Sequence, residues 1–304
     1  MIITPTNFSF LFRNVNTSHS LTASILEEQA TLDTDIIFLQ EITQKVIRTV
    51  ASIDIDDSEP VFGLPSHPAW ICLPPPTAIS QVAIYVHKRI FDHFHFTVDG
   101  KIFGHSNIFM MLCFDPSTRI TRSFINVYTN PNRDCHHALS NTVPVFIQNL
   151  HKVNRPQLVQ GDFNLHCSYW DEDMTDNLAL AWDLICALHE HRLSLVNDES
   201  IPTFYRSNHH PQVLDLVWLN DDTYSWNEAE VVYDITGAHR DHMTLTLKIG
   251  SNEATLIAND QLTRSYIATG SDDEGQLFDD IFNSVHNWSH QDVDFCATQM
   301  IDTF

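Results

Sequence analysis

Leu158-Val159-Gln160-Gly161-Asp162-Phe163-Asn164 is the stretch on which the fold turns. Leu158 to Gln160 has the character of the end of a buried strand. Gly161 lets the backbone turn sharply there. Asp162 and Asn164 follow two residues apart, with Phe163 between them. If the strand period persists, both polar side chains point one way and Phe163 packs the other way. A carboxylate and an amide then stand at the C-terminal edge of a buried strand, where layered folds present site residues. An Asx-type turn after a strand explains the same four residues. The rest of the chain must decide between the two.

Outward from this stretch, other apolar runs also end in polar residues. Asp35 to Leu39 leads into Gln40-Glu41, and its continuous apolar character marks a strand covered on both faces. Phe8 to Val15 carries Asn14 and is followed by Asn16. Gln81 to Val86, Asn107 to Phe114, and Thr121 to Tyr128 are further strands. Leu193 to Val196, Pro202 to Tyr205, Val213 to Leu219, Glu230 to Asp234 and Met243 to Ile249 make the second half strand-rich. Helices are expected from Leu21 to about Leu32, capped by Ser18 or Ser20, from about Cys135 to His151, and from about Asn177 to His191. In the last of these Leu178, Ala181, Trp182, Ile185 and Leu188 form one side. Strands with interspersed helices, some strands buried on both faces, predict two packed sheets with helices outside.

The chain has 304 residues and a formal net charge of -23. Nucleic-acid backbone affinity comes from Lys and Arg, so binding to DNA here requires a local basic strip or a bridging metal ion. Arg119, Arg122, Arg133, Arg155 and Arg206 are candidates for such a strip, or are scattered solvated charges. From Ser251 to Phe304 there are ten acids and one base, Arg264. Six cysteines without a C-x-x-C pair suit a reduced, intracellular protein, nuclear or cytoplasmic. No apolar run approaches a membrane span, and no signal peptide is apparent. Two domains are expected. Residues 1–250 form the α/β domain, and residues 251–304 form an acidic tether and an amphipathic helix. Leu277, Phe278, Ile281, Phe282, Val285 and Trp288 give that helix one apolar face, for a protein partner or for the parent domain.

Singly, each strand-end polar residue is a turn or cap residue. Together, acids, amides, one Tyr and one His at strand ends are what metal-assisted phosphoryl chemistry requires. Hard oxygen ligands suit Mg²⁺, and a His–carboxylate pair sets the imidazole tautomer. The pairs His136-His137 and His209-His210 lack four-ligand zinc spacing and are read as surface histidines.

Leu39-Gln40-Glu41, Asn126-Val127-Tyr128, Gly161-Asp162-Phe163-Asn164, Leu214-Asp215-Leu216-Val217 and Arg240-Asp241-His242 occur in the order and spacing of one known family. Over about residues 8 to 249 the chain resembles the endonuclease/exonuclease/phosphatase, or DNase I-like, superfamily. Gly161 to Trp170, G-D-F-N-L-H-C-S-Y-W, resembles the form found in endonucleases of LINE-type non-LTR retrotransposons. In that form a His and then a Trp follow the motif, and Ile201-Pro202-Thr203-Phe204 has the same character.

The resemblance implies a four-layer α/β/β/α sandwich of two mixed sheets. It implies Mg²⁺-dependent (or Mn²⁺-dependent) hydrolysis of phosphodiesters, with DNA nicked to leave a 3′-hydroxyl and a 5′-phosphate. Glu41 then resembles the principal metal ligand, Asn14 a residue bracing the metal site, and Asp241 a support for metal or water. Asn16 stands where some relatives have Asp. Asp162 resembles the residue that orients or deprotonates water. Asn164 and Tyr128 resemble phosphate-binding groups, and Asp215 resembles the partner of His242, which contacts the scissile phosphate. Arg240 replaces the Ser of a Ser-Asp-His triplet. It either pairs with Asp241 and competes with the metal, or grips phosphate bidentately. Two other functions remain open: a phosphatase on a small ligand such as an inositol phosphate, and a degenerate domain acting through its C-terminal helix.

Overall fold

The computed structural model describes residues 8–42, 64–77, 79–130, 142–171, 179–206, 210–220, 230–234 and 241–249. The expected helix after residue 250, His136, His137, His209 and Arg240 all lie outside the described residues.

Two sheets form the centre. The first runs in the order β11 (Glu230–Asp234), β12 (Thr244–Ile249), β1 (Phe8–Asn14), β2 (Ile36–Gln40), β4 (Val82–His87), β3 (Trp70–Cys72). The second runs β5 (His95–Asp99), β6 (Ile108–Asp115), β7 (Ile120–Tyr128), β8 (Pro156–Asp162), β10 (Asp215–Asn220), β9 (Leu193–Leu195). Each sheet is mixed. β1 and β2 are parallel, as are β7 and β8, and the other pairings are antiparallel.

Alternation of side chains separates three cores. Phe8, Phe10, Phe12 and Phe38 of the first sheet meet Phe124, Leu158 and Val217 of the second, and all are buried. Helix α1 (His19–Gln29) covers the outer face of the first sheet, where Ile25 and Leu26 pack with Leu11, Ile37 and Leu39. Helices α2 (Thr142–Leu150) and α3 (Ala179–Glu190) cover the outer face of the second through Phe146, Leu184 and Leu188. The result is the expected four-layer sandwich. Its aromatic interior fits the pleated, two-sided burial that β-branched and aromatic residues favour.

Several local expectations hold, and others change. Ser18 caps α1, its hydroxyl accepting from the Leu21 amide at 3.2 Å. Trp182 lies on the outside of α3 and is 45% exposed; Leu184 takes the buried position instead. Pro202 to Tyr205 is not a strand: Phe204 makes single bridges to Gln212 and to His242. The short edge strands β3 and β5 add to the expected set; β5, His95-Phe96-Thr97-Val98-Asp99, alternates polar and apolar residues at the edge of its sheet.

Gly161 is the main correction. Strand β8 continues through it to Asp162 without a turn. Glycine is required because a Cβ there would fall 1.9 Å from the Val127 carbonyl oxygen of β7. The turn follows at Asn164, whose φ is 47°.

Candidate active site

The strand ends bring the polar residues together. In the second sheet Tyr128, Asp162 and Asp215 stand side by side in register at the ends of β7, β8 and β10. In the first sheet Asn14 ends β1, Glu41 follows β2, and His242 precedes β12. The two groups face each other across the sandwich edge. They line a cleft of about 670 Å³ that includes Asn14, Asn16, Glu41, Tyr128, Asp162, Asn164, Asp241 and His242. Asp215 lies behind His242, 6% exposed.

Asn16, Glu41 and Asn164 have φ of 45°, 51° and 47°. Left-handed backbone is costly for residues other than Gly, and Asn tolerates it best. At Glu41 the conformation is held from both sides. Its carbonyl accepts from the Thr17 amide at 2.7 Å, and the Ile42 amide donates to Gln81 at 3.1 Å. Strain held in place at a strand end is a mark of a functional position.

Asp162 is 1% exposed. Its Oδ2 accepts from Asn14 Nδ2 at 2.8 Å and its Oδ1 from the Asn164 amide at 3.1 Å. The second contact is the Asx-type turn, so turn and site use the same atoms. Burial pushes the Asp162 carboxyl up from its ordinary range. His242 beside it works in the opposite direction, and Asp215 adds to the upward push.

His242 Nδ1 lies 2.8 Å from Asp215 Oδ2, and its Nε2 lies 3.8 Å from Asp162 Oδ2. Burial alone would lower the imidazole; Asp215 outweighs it, helped by Asp162 and Glu41, and the ring is raised to about 9. The ring therefore carries a proton on both nitrogens near neutral pH, with Nδ1–H donated to Asp215. The Tyr128 side chain is buried, and burial together with the nearby Glu41 and Asp162 keeps its hydroxyl protonated.

Some residues near the site carried a weaker sequence signal. The buried Thr203 hydroxyl accepts from the amides of Leu214 and Asp215 at 3.0 and 2.9 Å, and so fixes the start of β10. The Thr203 carbonyl accepts from Met243 at 2.8 Å, and the Phe204 ring lies 4.8 Å from that of His242. The segment around Thr203 thus ties Asp215 to His242. His166 lines the cleft. Trp170 is fully buried and donates to the Leu165 carbonyl at 3.3 Å, closing the loop that carries His166 and directly follows Asn164. That closure gives the His-to-Trp spacing a physical role. Of the five candidate arginines, Arg206 lines the cleft. Arg122 is buried, 3.7 Å from Asp115, and belongs to no surface strip.

A family model described as endonuclease-reverse transcriptase matches residues 122–244. That range runs from β7 to just past His242. The endonuclease domain of TRAS1, a telomere-specific non-LTR retrotransposon, superposes with a TM-score of 0.58 at 16% identity, over 80% of this chain and 98% of that one. The fold is DNase I-like. The AP endonuclease LMAP from Leishmania major gives a TM-score of 0.59 at 11% identity, covering 80% and 88% of the two chains. An AP endonuclease from Archaeoglobus fulgidus gives 0.51 at 14%, covering 79% and 98%. At these identities the likeness is one of fold. No curated protein matches the chain. Among the described residues, no helix of this DNase I-like chain is long and apolar enough to cross a membrane.

Proposed function

We propose that the chain is a divalent-metal-dependent phosphodiesterase that nicks DNA, of the kind found in non-LTR retrotransposons, leaving a 3′-hydroxyl and a 5′-phosphate. The observation that carries this reading is the convergence of Asn14, Glu41, Tyr128, Asp162, Asn164 and His242, from five separate chain segments, on one cleft. The matched family model and the DNase I-like fold support it.

The residues fit a hard divalent cation, Mg²⁺ or Mn²⁺. Glu41, Asn14, Asn16 and Asp241 offer carboxylate and amide oxygens to the same cleft. Glu41, Asp162 and Asp215 are set against one imidazolium, so the cluster is short of positive charge. Asp162, Asp215 and His242 also have donor atoms within 4.8 Å of one another. The proton shared by His242 and Asp215 already fills the facing positions of that pair, so the oxygen set around Glu41 fits better. When bound, the cation supplies Lewis-acid stabilisation of charge on the scissile phosphate.

The chain's own groups do the rest. Asp162, fixed by Asn14 and Asn164, orients a water and takes its proton. His242, held by Asp215, presents its Nε2 proton to the phosphoryl oxygen where negative charge develops. Tyr128 and Asn164 hold non-bridging oxygens. In the free protein both also have internal partners, Glu41 for the phenol and the Thr129 carbonyl, 2.6 Å away, for the amide.

The test is conversion of supercoiled plasmid to open circles with Mg²⁺. If neither plasmid nor an abasic duplex is cut, and the His242→Ala protein behaves identically, the proposal fails. The strongly acidic chain favours a small phosphorylated substrate as the second reading. Phosphate release from inositol phosphates without nicking would replace the first reading with that one.

A further inference from the structure

Three pairs within the site cross from one sheet to the other. Asn14 of the first sheet meets Asp162 of the second, His242 of the first meets Asp215 of the second, and Glu41 of the first meets Tyr128 of the second. The site exists only while the sheets keep one registration. Most of what lies between them sets it less sharply than hydrogen bonds can. The facing phenylalanines and aliphatic residues gain most of their attraction from burial, which has no direction.

One layer between the sheets is different. Gln40, Asn126 and Gln160 are fully buried, at 1%, 0% and 1% exposure. Gln40 Nε2 donates to Asn126 Oδ1 at 2.8 Å and to Gln160 Oε1 at 2.9 Å. Asn126 Nδ2 donates back to the carbonyls of Leu39 and Ala83 at 3.0 and 3.2 Å. These four bonds span the gap between the sheets. A fifth, Gln160 Nε2 to Asn126 Oδ1 at 2.7 Å, joins the two acceptors within one sheet. The layer sits immediately below the site. Gln40 precedes Glu41 and is in register with Asn14, Asn126 is two residues before Tyr128, and Gln160 is two before Asp162. Buried amides are costly unless paired, and paired ones have fixed lengths and directions.

We propose that Gln40, Asn126 and Gln160 are positioning residues, a directional lock that fixes the registration of the two sheets and so brings the cross-sheet pairs of the site together. Its consequence for cleavage rests on the nuclease reading. Its consequence for geometry does not.

The experiment replaces the layer by apolar residues of similar volume, Gln40→Met, Asn126→Leu and Gln160→Met together, in the full chain. Exchanging partnered polar side chains together for apolar groups is often neutral for stability; the Leu39 and Ala83 carbonyls remain and lose the Asn126 donor, so folding is checked by thermal unfolding. Three readouts follow. In metal-free protein, the far-downfield proton NMR signal of the His242–Asp215 hydrogen bond is expected to vanish. Mn²⁺ affinity, measured by electron paramagnetic resonance, is expected to fall at least tenfold, and plasmid nicking at least a hundredfold. A triple variant that keeps the NMR signal unshifted and binds Mn²⁺ within twofold overturns the proposal. If the triple variant does not fold, Gln160→Met is read instead, since it keeps the Gln40–Asn126 bond and both carbonyl contacts. A shifted signal and about threefold weaker Mn²⁺ binding support the lock, and unchanged values overturn it. Should the unaltered protein fail to nick DNA while the triple variant loses the NMR signal, the nuclease reading falls and the lock stands.

Discussion

Asp215 of the second sheet holds His242 of the first through a 2.8 Å contact from Oδ2 to Nδ1, with both side chains buried. The carboxylate fixes the ring's orientation and keeps a proton on Nδ1. Asp215→Asn preserves the shape but removes the negative charge that keeps the ring protonated on both nitrogens. Cleavage by this variant is expected to drop about 10²–10⁴-fold, the usual range for a misplaced acid–base group. Plasmid nicking measures it, and wild-type rates would remove His242 from the mechanism.

Asn14 Nδ2 is the side-chain donor that stabilises the Asp162 carboxylate. Asn14→Ala removes it and pushes the carboxyl further up. The acid limb of the pH–rate profile should then move to higher pH, with roughly a tenfold loss at neutral pH. A profile that keeps its acid limb would show that Asp162 is not the titrating base.

Stability of the metal-free protein should fall as pH rises from about 6.5 to 9. His242 is raised when folded, from its ordinary 6.5 to about 9. Its contribution is fully present below 6.5 and is lost as pH climbs through the folded value. Asp162, also raised, loses its contribution over a lower interval, beginning at its ordinary carboxylate value. Thermal unfolding in EDTA across this range checks the slope. His242→Gln should flatten the upper part, and a variant with the parent's slope would assign the effect elsewhere.

Thr203→Val leaves the amides of Leu214 and Asp215 without their acceptor. Two orphaned buried donors cost about 2–6 kcal/mol. The melting temperature should fall by roughly 5–20 °C in a domain of this size, and cleavage should fall with the displacement of Asp215. Thr203→Ser keeps the hydroxyl and should recover most of both, whereas failure of this rescue would point to the methyl group.

Gly161→Ala places a methyl group 1.9 Å from the Val127 carbonyl oxygen. Strands β7 and β8 must separate, at a cost of about 1–3 kcal/mol or more. Because Tyr128 and Asp162 end those strands, metal affinity should weaken along with stability. Calorimetric titration with Mg²⁺ beside a melting curve separates the two, and unaltered Mg²⁺ binding would confine the damage to packing.

Much of this molecule was legible before its structure. Apolar runs and their polar ends located β1, β2, β4, β6, β7, β8, β9, β10, β11 and β12, because the length and bounds of an apolar run are local properties. Glu41, Tyr128, Asp162, Asp215 and His242 stand at strand ends inside short motifs, so residue type and position marked them together. Trp182 misled because apolar character alone does not say which side of a helix is covered. Gly161 misled because the reason for a glycine there is another strand's carbonyl, invisible in its own neighbourhood.

What only the tertiary structure decided is the set of pairings. Asn14 and Asp162 are separated by 148 residues, Gln40 and Gln160 by 120, Gln40 and Asn126 by 86. Local sequence determines which face of a strand is apolar and where the strand stops. It carries no record of which buried amide meets which, because hydrogen bonds across a sandwich depend on how two finished sheets come to rest. The chemistry of this site was therefore written in its residues, and its geometry in the contact between its sheets.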